Sequence, residues 1–123
     1  MTFDEVAKEL VAGCREGREN ENLDKLYAED AVSVEAADMG QGRETVGREG
    51  IRGKHEWFAN MYEQVSGEAS DPMPHGDDRF AVIFDMKMKK RETGEIEEMR
   101  DIGVYTVKDG KIVREEFYYP TGG

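Results

Sequence analysis

Carboxylates set within apolar extended segments are the residues of this sequence best suited to chemistry. Asp101 lies in the stretch Ile96 to Val107, with Met99 and Tyr105 on the same side of an extended chain, and Glu115 lies in the next such stretch, Lys111 to Tyr119. On a wall of aromatics and methionines, lost solvation raises a carboxyl pKa and poises the group as a general acid or base. A second carboxylate nearby would push one of the two to keep its proton. The plainer alternative for Asp101 is an ion pair with Arg79 or Arg114 across the sheet. His55 falls in an apolar and aromatic row. It is either a neutral imidazole that relays a proton to Asp101 or Glu115, or a core histidine satisfied by a carbonyl or carboxylate. Glu35 ends a short apolar strand, where it acts as a base or simply caps the strand end in water.

Other constellations fail on inspection. His55-Glu56-Trp57-Phe58-Ala59 starts like a zinc-protease helix, but Ala59 stands where the second ligand belongs. Gly53-Lys54-His55 lacks the earlier glycine and the following Ser or Thr of a phosphate-binding loop. Gly40-Gln-Gly42 follows no parallel-sheet strand, so it is not a dinucleotide fingerprint. Two histidines 20 positions apart and one cysteine give no metal site, and the chemistry above calls for no cofactor. His75 reads as an exposed loop residue, Cys14 as buried packing, and Trp57, Met61 and Phe84 as core or as the lining of a ligand site.

Composition narrows the partners. The chain has 123 residues with 28 acidic and 17 basic side chains, a net charge of -11 and a pI near 4.6. That balance repels nucleic acid and anionic membrane surfaces. Mean hydropathy is -0.78, yet five Phe, five Tyr and a Trp argue for a folded chain with a modest core. The length suits one domain over 1–123. The single Cys14 excludes an internal disulfide, and no apolar run reaches membrane length, so a cytoplasmic protein is expected.

The elements that must position these residues are readable. Thr2-Phe3-Asp4-Glu5 forms a capping box, and Phe3, Val6, Leu10 and Cys14 recur at helical spacing up to Gly17. Asn22 can cap a short helix from Leu23 to Ala28, after which Ala31 to Glu35 turns strand-like. Three glycines between 38 and 47 suggest a hairpin return. Ile51, His55, Phe58, Tyr62 and Val65 then form one helical stripe. An extended stretch near 66 to 75, carrying Pro72 and Pro74, is predicted to be an edge or bulged strand. Strands over 79–90, 96–107 and 111–119 are joined by short glycine turns into antiparallel hairpins. Phe80, Val82, Phe84, Met86 and Met88 are core. The last two strands mix apolar and charged residues on both faces, which suggests helices on one side and a second subunit on the other. The class is therefore α+β.

Leu26-Tyr-Ala-Glu-Asp-Ala-Val-Ser-Val-Glu35, Gly50-Ile-Arg-Gly-Lys-His-Glu-Trp-Phe58 and the phrase from Gly103 to Tyr119 resemble SnoaL-like members of the nuclear transport factor 2-like superfamily. The resemblance implies a cone: a curved antiparallel sheet wrapped round helices and enclosing a cavity, commonly as a homodimer. It sets Met99, Asp101, Gly103, Tyr105, Glu115, Phe117 and Tyr119 toward that cavity, and Glu35 at the proton-abstracting position of ketosteroid isomerases. The isomerase's oxyanion donors fall on Gly103 and near Leu10, and so are missing. The water-activating set of limonene-epoxide hydrolases becomes Arg79-x-Ala81 and Phe117. What the resemblance implies is a pocket for a small apolar ligand, lined by Tyr105, Tyr119, Phe117, Tyr62, Phe58 and Met99. Proton-transfer isomerase or cyclase chemistry there would use Asp101, His55, Glu115 and Glu35. The alternative is a ligand-binding or dimeric assembly module without catalysis.

Overall fold

The computed structural model describes residues 1–38 and 40–121. Met39, in the glycine-rich return, and the last two glycines lie outside the described residues. Helix α1 (Phe3–Glu16) starts on the capping box: the Glu5 amide donates to the Thr2 hydroxyl at 3.2 Å and the Thr2 amide to the Glu5 carboxylate at 2.8 Å. It stops at Gly17, whose φ of 72° is left-handed. Helix α2 (Glu19–Leu26) begins earlier than Asn22 would have it. Asn22 is instead buried inside α2, where its Nδ2 donates to the Glu9 carbonyl at 3.0 Å across the bare backbone of Gly13. Tyr27 and Ala28 open strand β1 (Tyr27–Val34) rather than closing the helix.

The short β2 (Glu44–Val46) returns antiparallel on β1, and α3 (Arg48–Met61) follows. The expected helical stripe runs on to Val65, but the chain becomes extended at Tyr62 and forms β3 (Tyr62–Ala69). Val65, 55% exposed, sits at a register break between Gln64 and Ser66, so it belongs to a bulge rather than to a helix face. After β4 (Met73–His75) come the long strands β5 (Arg79–Lys90), β6 (Ile96–Lys108) and β7 (Lys111–Tyr118). β3 and β4 both pair with β5 along one edge, where proline's missing amide proton is harmless.

The sheet runs β2-β1-β7-β6-β5-β3, curved and unclosed. Its pairings are antiparallel except that of β1 with β7, which is parallel. In β7 one extra residue, Val113, lies between the pairs Thr106–Arg114 and Val107–Ile112. This bulge lets Ile112 and Glu115, three residues apart, both turn inward. The inner face packs Phe80, Val82, Tyr105, Val107 and Ile112 against Val6, Leu10, Val11, Leu23, Leu26 and Ile51 of the helices. Burying each of the large side chains contributes about 2 kcal/mol. A row of rings crosses this face: Phe3 edge-on to Phe80 at 5.8 Å, Phe80 stacked on Tyr105 at 5.0 Å, and Tyr105 edge-on to Phe117 at 6.2 Å. The outer face is mixed, with Ile102 and Tyr118 exposed beside the ion pairs Arg100–Asp85 and Lys87–Glu98. Among the described residues, no helix is long and apolar enough to cross a membrane.

Candidate functional site

The row of rings leads from the core to a group of polar side chains where α3 crosses β1. At its closed end Glu115 is 3% exposed, with one carboxylate oxygen accepting from the Tyr27 hydroxyl and the other from the Ser33 hydroxyl at 2.6 Å. Burial pushes the Glu115 carboxyl above its ordinary range, against the pull of the two hydroxyls and of the Lys54 charge. Tyr27 and Tyr105 are raised far above the usual phenol value by burial first and by the Glu115 charge second.

Lys54 carries the chain of contacts outward. Its Nζ donates to Ser33 Oγ at 2.8 Å and to Glu35 Oε2 at 2.6 Å, and stands 5.9 Å from the centre of the Phe117 ring. The other Glu35 oxygen accepts from the Tyr119 hydroxyl at 2.9 Å. Burial, then the bond to Glu35, raises Tyr119 to about 12. Six groups from β1, α3, β7 and the β7 end thus form one chain: Tyr27, Glu115, Ser33, Lys54, Glu35 and Tyr119.

Asp101 stands apart from it. The β6–β7 register sets Gly103 opposite Phe117 and Ile102 opposite Tyr118, so Asp101 extends the same inner face toward Tyr119. Among the described residues it has no hydrogen-bond or ion-pair partner. Arg79 is drawn to Asp78, and Arg114 to Glu116 and Glu44, so neither supplies the expected pair. Burial, then the Glu35 charge, lifts the Asp101 carboxyl from 3.8 to about 6. On the same face Met99 on β6 and Phe117 and Tyr119 toward the end of β7 are half-buried, and Phe58 and Tyr62, also half-buried, stack on each other at 4.9 Å where α3 runs into β3. Helix α3 packs mainly on β1, α2, β2 and β3.

His55 is not brought to these acids. Its Nδ1 meets Asn20 Oδ1 of α2 at 2.9 Å, and burial, then the Lys54 and Arg52 charges, lowers its pKa. Both residues fit the α3 stripe: Lys54 follows Ile51 by three and precedes Phe58 by four, while His55 follows by four and precedes by three. Polar partners on β1 draw one inward, and Asn20 draws the other sideways. The spacing thus carried a signal for Lys54; Ser33, alternating with Ala31 and Glu35, carried a weaker one. The bare Gly103 backbone has a consequence as well. A Cβ there would meet Tyr105 Cε2 at 2.9 Å and Tyr105 Oη at 3.1 Å, so the phenol leans over the space the missing side chain leaves.

Two grooves open on the outer side instead. One of about 390 Å³ is bounded by Arg100, Ile102, Tyr118 and Pro120 and reaches round the sheet edge to Ala36 and Tyr119, and one of about 200 Å³ is bounded by Ser70, Ile83, Asp85 and Arg100 among others. Among the described residues no cluster of His, Cys, Asp and Glu could hold a metal ion. Cys14 sits under the helices with burial raising its thiol to about 12.

The family of the chain follows from comparison. The SnoaL-like domain matches residues 1–119, and the chain belongs to that family. A crystal structure from Mesorhizobium loti, of a candidate SnoaL-like polyketide cyclase also labelled a carbohydrate phosphatase, is 34% identical. It covers 97% of this chain and 100% of that one, with a TM-score of 0.89. A candidate isomerase from Bacillus subtilis is 22% identical over 98% of this chain and 90% of that one, at a TM-score of 0.78. A nuclear transport factor 2-like protein of unknown function from Burkholderia pseudomallei is 13% identical over 98% and 93%, at a TM-score of 0.77. The last two show the shared fold alone. No curated protein matches the chain.

Proposed function

We propose that the half-open end of the inner wall binds a small, largely apolar carbonyl or ring compound, and that Asp101 moves a proton on it in an isomerase- or cyclase-type reaction without a cofactor. One observation carries this: a half-buried carboxyl with no partner among the described residues, lifted to about 6, on a face it shares with Phe117 and Tyr119. Catalytic bases are tuned to that range because proton transfer is most effective when the pKa lies near the working pH. The comparison with a candidate polyketide cyclase supports the same class of chemistry. Glu35 is held on both oxygens and Glu115 is walled in, so Asp101 is the acid with a free lone pair to offer. The exposed Ile102 and Tyr118, flanking the larger outer groove, support a second copy of the chain covering that face.

The test is exchange of α-protons of apolar ketones in heavy water, followed by NMR. Exchange should rise with pH through about 6. Asp101→Asn should slow it by a factor of about 100 or more. Exchange no faster than in buffer across a ketone panel, or an Asp101 carboxyl that titrates at the ordinary 3.8, would overturn the proposal.

A further inference from the structure

If Asp101 removes a proton α to a carbonyl, the C–H electron pair becomes the new C=C bond and the carbonyl π pair settles on oxygen. The resulting enolate oxygen needs a donor or a positive charge facing it. Resting on the proposed proton transfer, we infer that the Lys54 ammonium is the group that receives this charge, which makes the substrate an enolisable neutral ketone.

Three observations carry the inference. Lys54 has three N–H donors, and Ser33 and Glu35 engage two, at 2.8 and 2.6 Å. Its Nζ also lies 5.9 Å from the Phe117 ring centre, on the strand that pairs beside Asp101, so a cation and the free carboxyl border the same ring-lined wall. Glu35 meanwhile holds the half-buried amine in an ion pair at 2.6 Å, which fixes its place beside the wall. The class of ligand follows from the local balance of charge. Glu35 pairs with Lys54 and Glu115 lies within reach of its charge, with Asp101 on the neighbouring strand near Glu35, so a ligand that arrives as a carboxylate meets repulsion, whereas one that becomes negative only on its oxygen gains from the ammonium.

The experiment uses 2-naphthol, an apolar ring compound whose ionised form has its own excitation band, with 2-methoxynaphthalene as the ether that cannot ionise. Both should bind the full chain. Bound naphthol should show the naphtholate band at a pH where free naphthol does not, with an affinity about tenfold above that of the ether. Lys54→Met should lose the band and the tenfold excess while binding the ether as before, and Lys54→Arg should keep most of both. Ether and naphthol binding equally well to the parent chain, with the naphthol protonated, would overturn the role of Lys54 and leave the ligand-binding wall standing. That readout needs no variant, so a Lys54→Met chain that fails to fold does not shelter the inference. An unchanged band in a folded Lys54→Met chain would overturn it equally. Failure of both compounds to bind would instead remove the binding reading and this inference with it.

Discussion

Glu115 and Asp101 sit on adjacent strands of one wall, yet they are opposite kinds of acid. Glu115 is enclosed, and both its oxygens are taken by hydroxyls of β1 residues. Asp101 is half-open and faces no partner among the described residues. Burial raises both carboxyls, so a raised pKa does not separate them. What separates them is whether a lone pair remains for something other than the protein. A saturated buried acid ties strands and helices together, and an unsaturated one at the rim is available for chemistry.

The largest effect that bears on this contrast is the loss of the enclosed acid. Glu115→Ala strands the Tyr27 and Ser33 hydroxyls in the core and should cost about 3 kcal/mol, read as a lower urea midpoint. Asp101→Asn should leave stability at or slightly above the parent value at neutral pH, because it removes a charge that burial disfavours, and an equal loss from both substitutions would erase the distinction. A smaller, pH-dependent effect sharpens it. Because the folded pKa of Asp101 lies above 3.8, the folded state takes up the proton first. The stabilisation is complete below 3.8 and is lost as pH rises through about 6. Discounted for solvent screening at a half-exposed group, it amounts to about 1 kcal/mol. Urea midpoints of the parent should therefore gain on those of Asp101→Asn as pH falls across that window. The smallest effect belongs to the outer face. The Arg100–Asp85 pair, at 3.4 Å with side chains 71% and 52% exposed, is open to water, and Arg100→Ala should shift the midpoint by about 0.5 kcal/mol or less.

Much of the fold was legible because local rules agreed with the global arrangement. The Thr2 capping box and Gly17 bound α1, while Gly94 and the left-handed Asp109-Gly110 pair fix the hairpins that place β5, β6 and β7. The site was legible only in part. Asp101 and Glu115 on one face came from family resemblance, since alternation in β7 misassigns Ile112 without the Val113 bulge. Lys54 was hidden beside His55 because helical spacing allows a stripe wide enough for both. Only the placement of Asn20 on one flank and of Ser33 and Glu35 on the other decides between them. Tyr27 was read as the end of a helix, although its hydroxyl reaches 88 positions along the chain to Glu115. A pairing so distant in sequence leaves no periodic trace.

The single additional residue in β7 makes that strand a frame-shift point for chemistry. The bulge sets the face: a β7 of the same length without it would turn Arg114, Glu116 and Tyr118 toward the concave wall in place of Glu115, Phe117 and Tyr119, whereas deleting Val113 would remove the bulge and keep those three inward. One irregularity of the backbone there separates an acidic, aromatic lining from one of mixed charge, so substitutions that straighten β7 offer a shorter path to a new ligand class than a series of replacements along the wall.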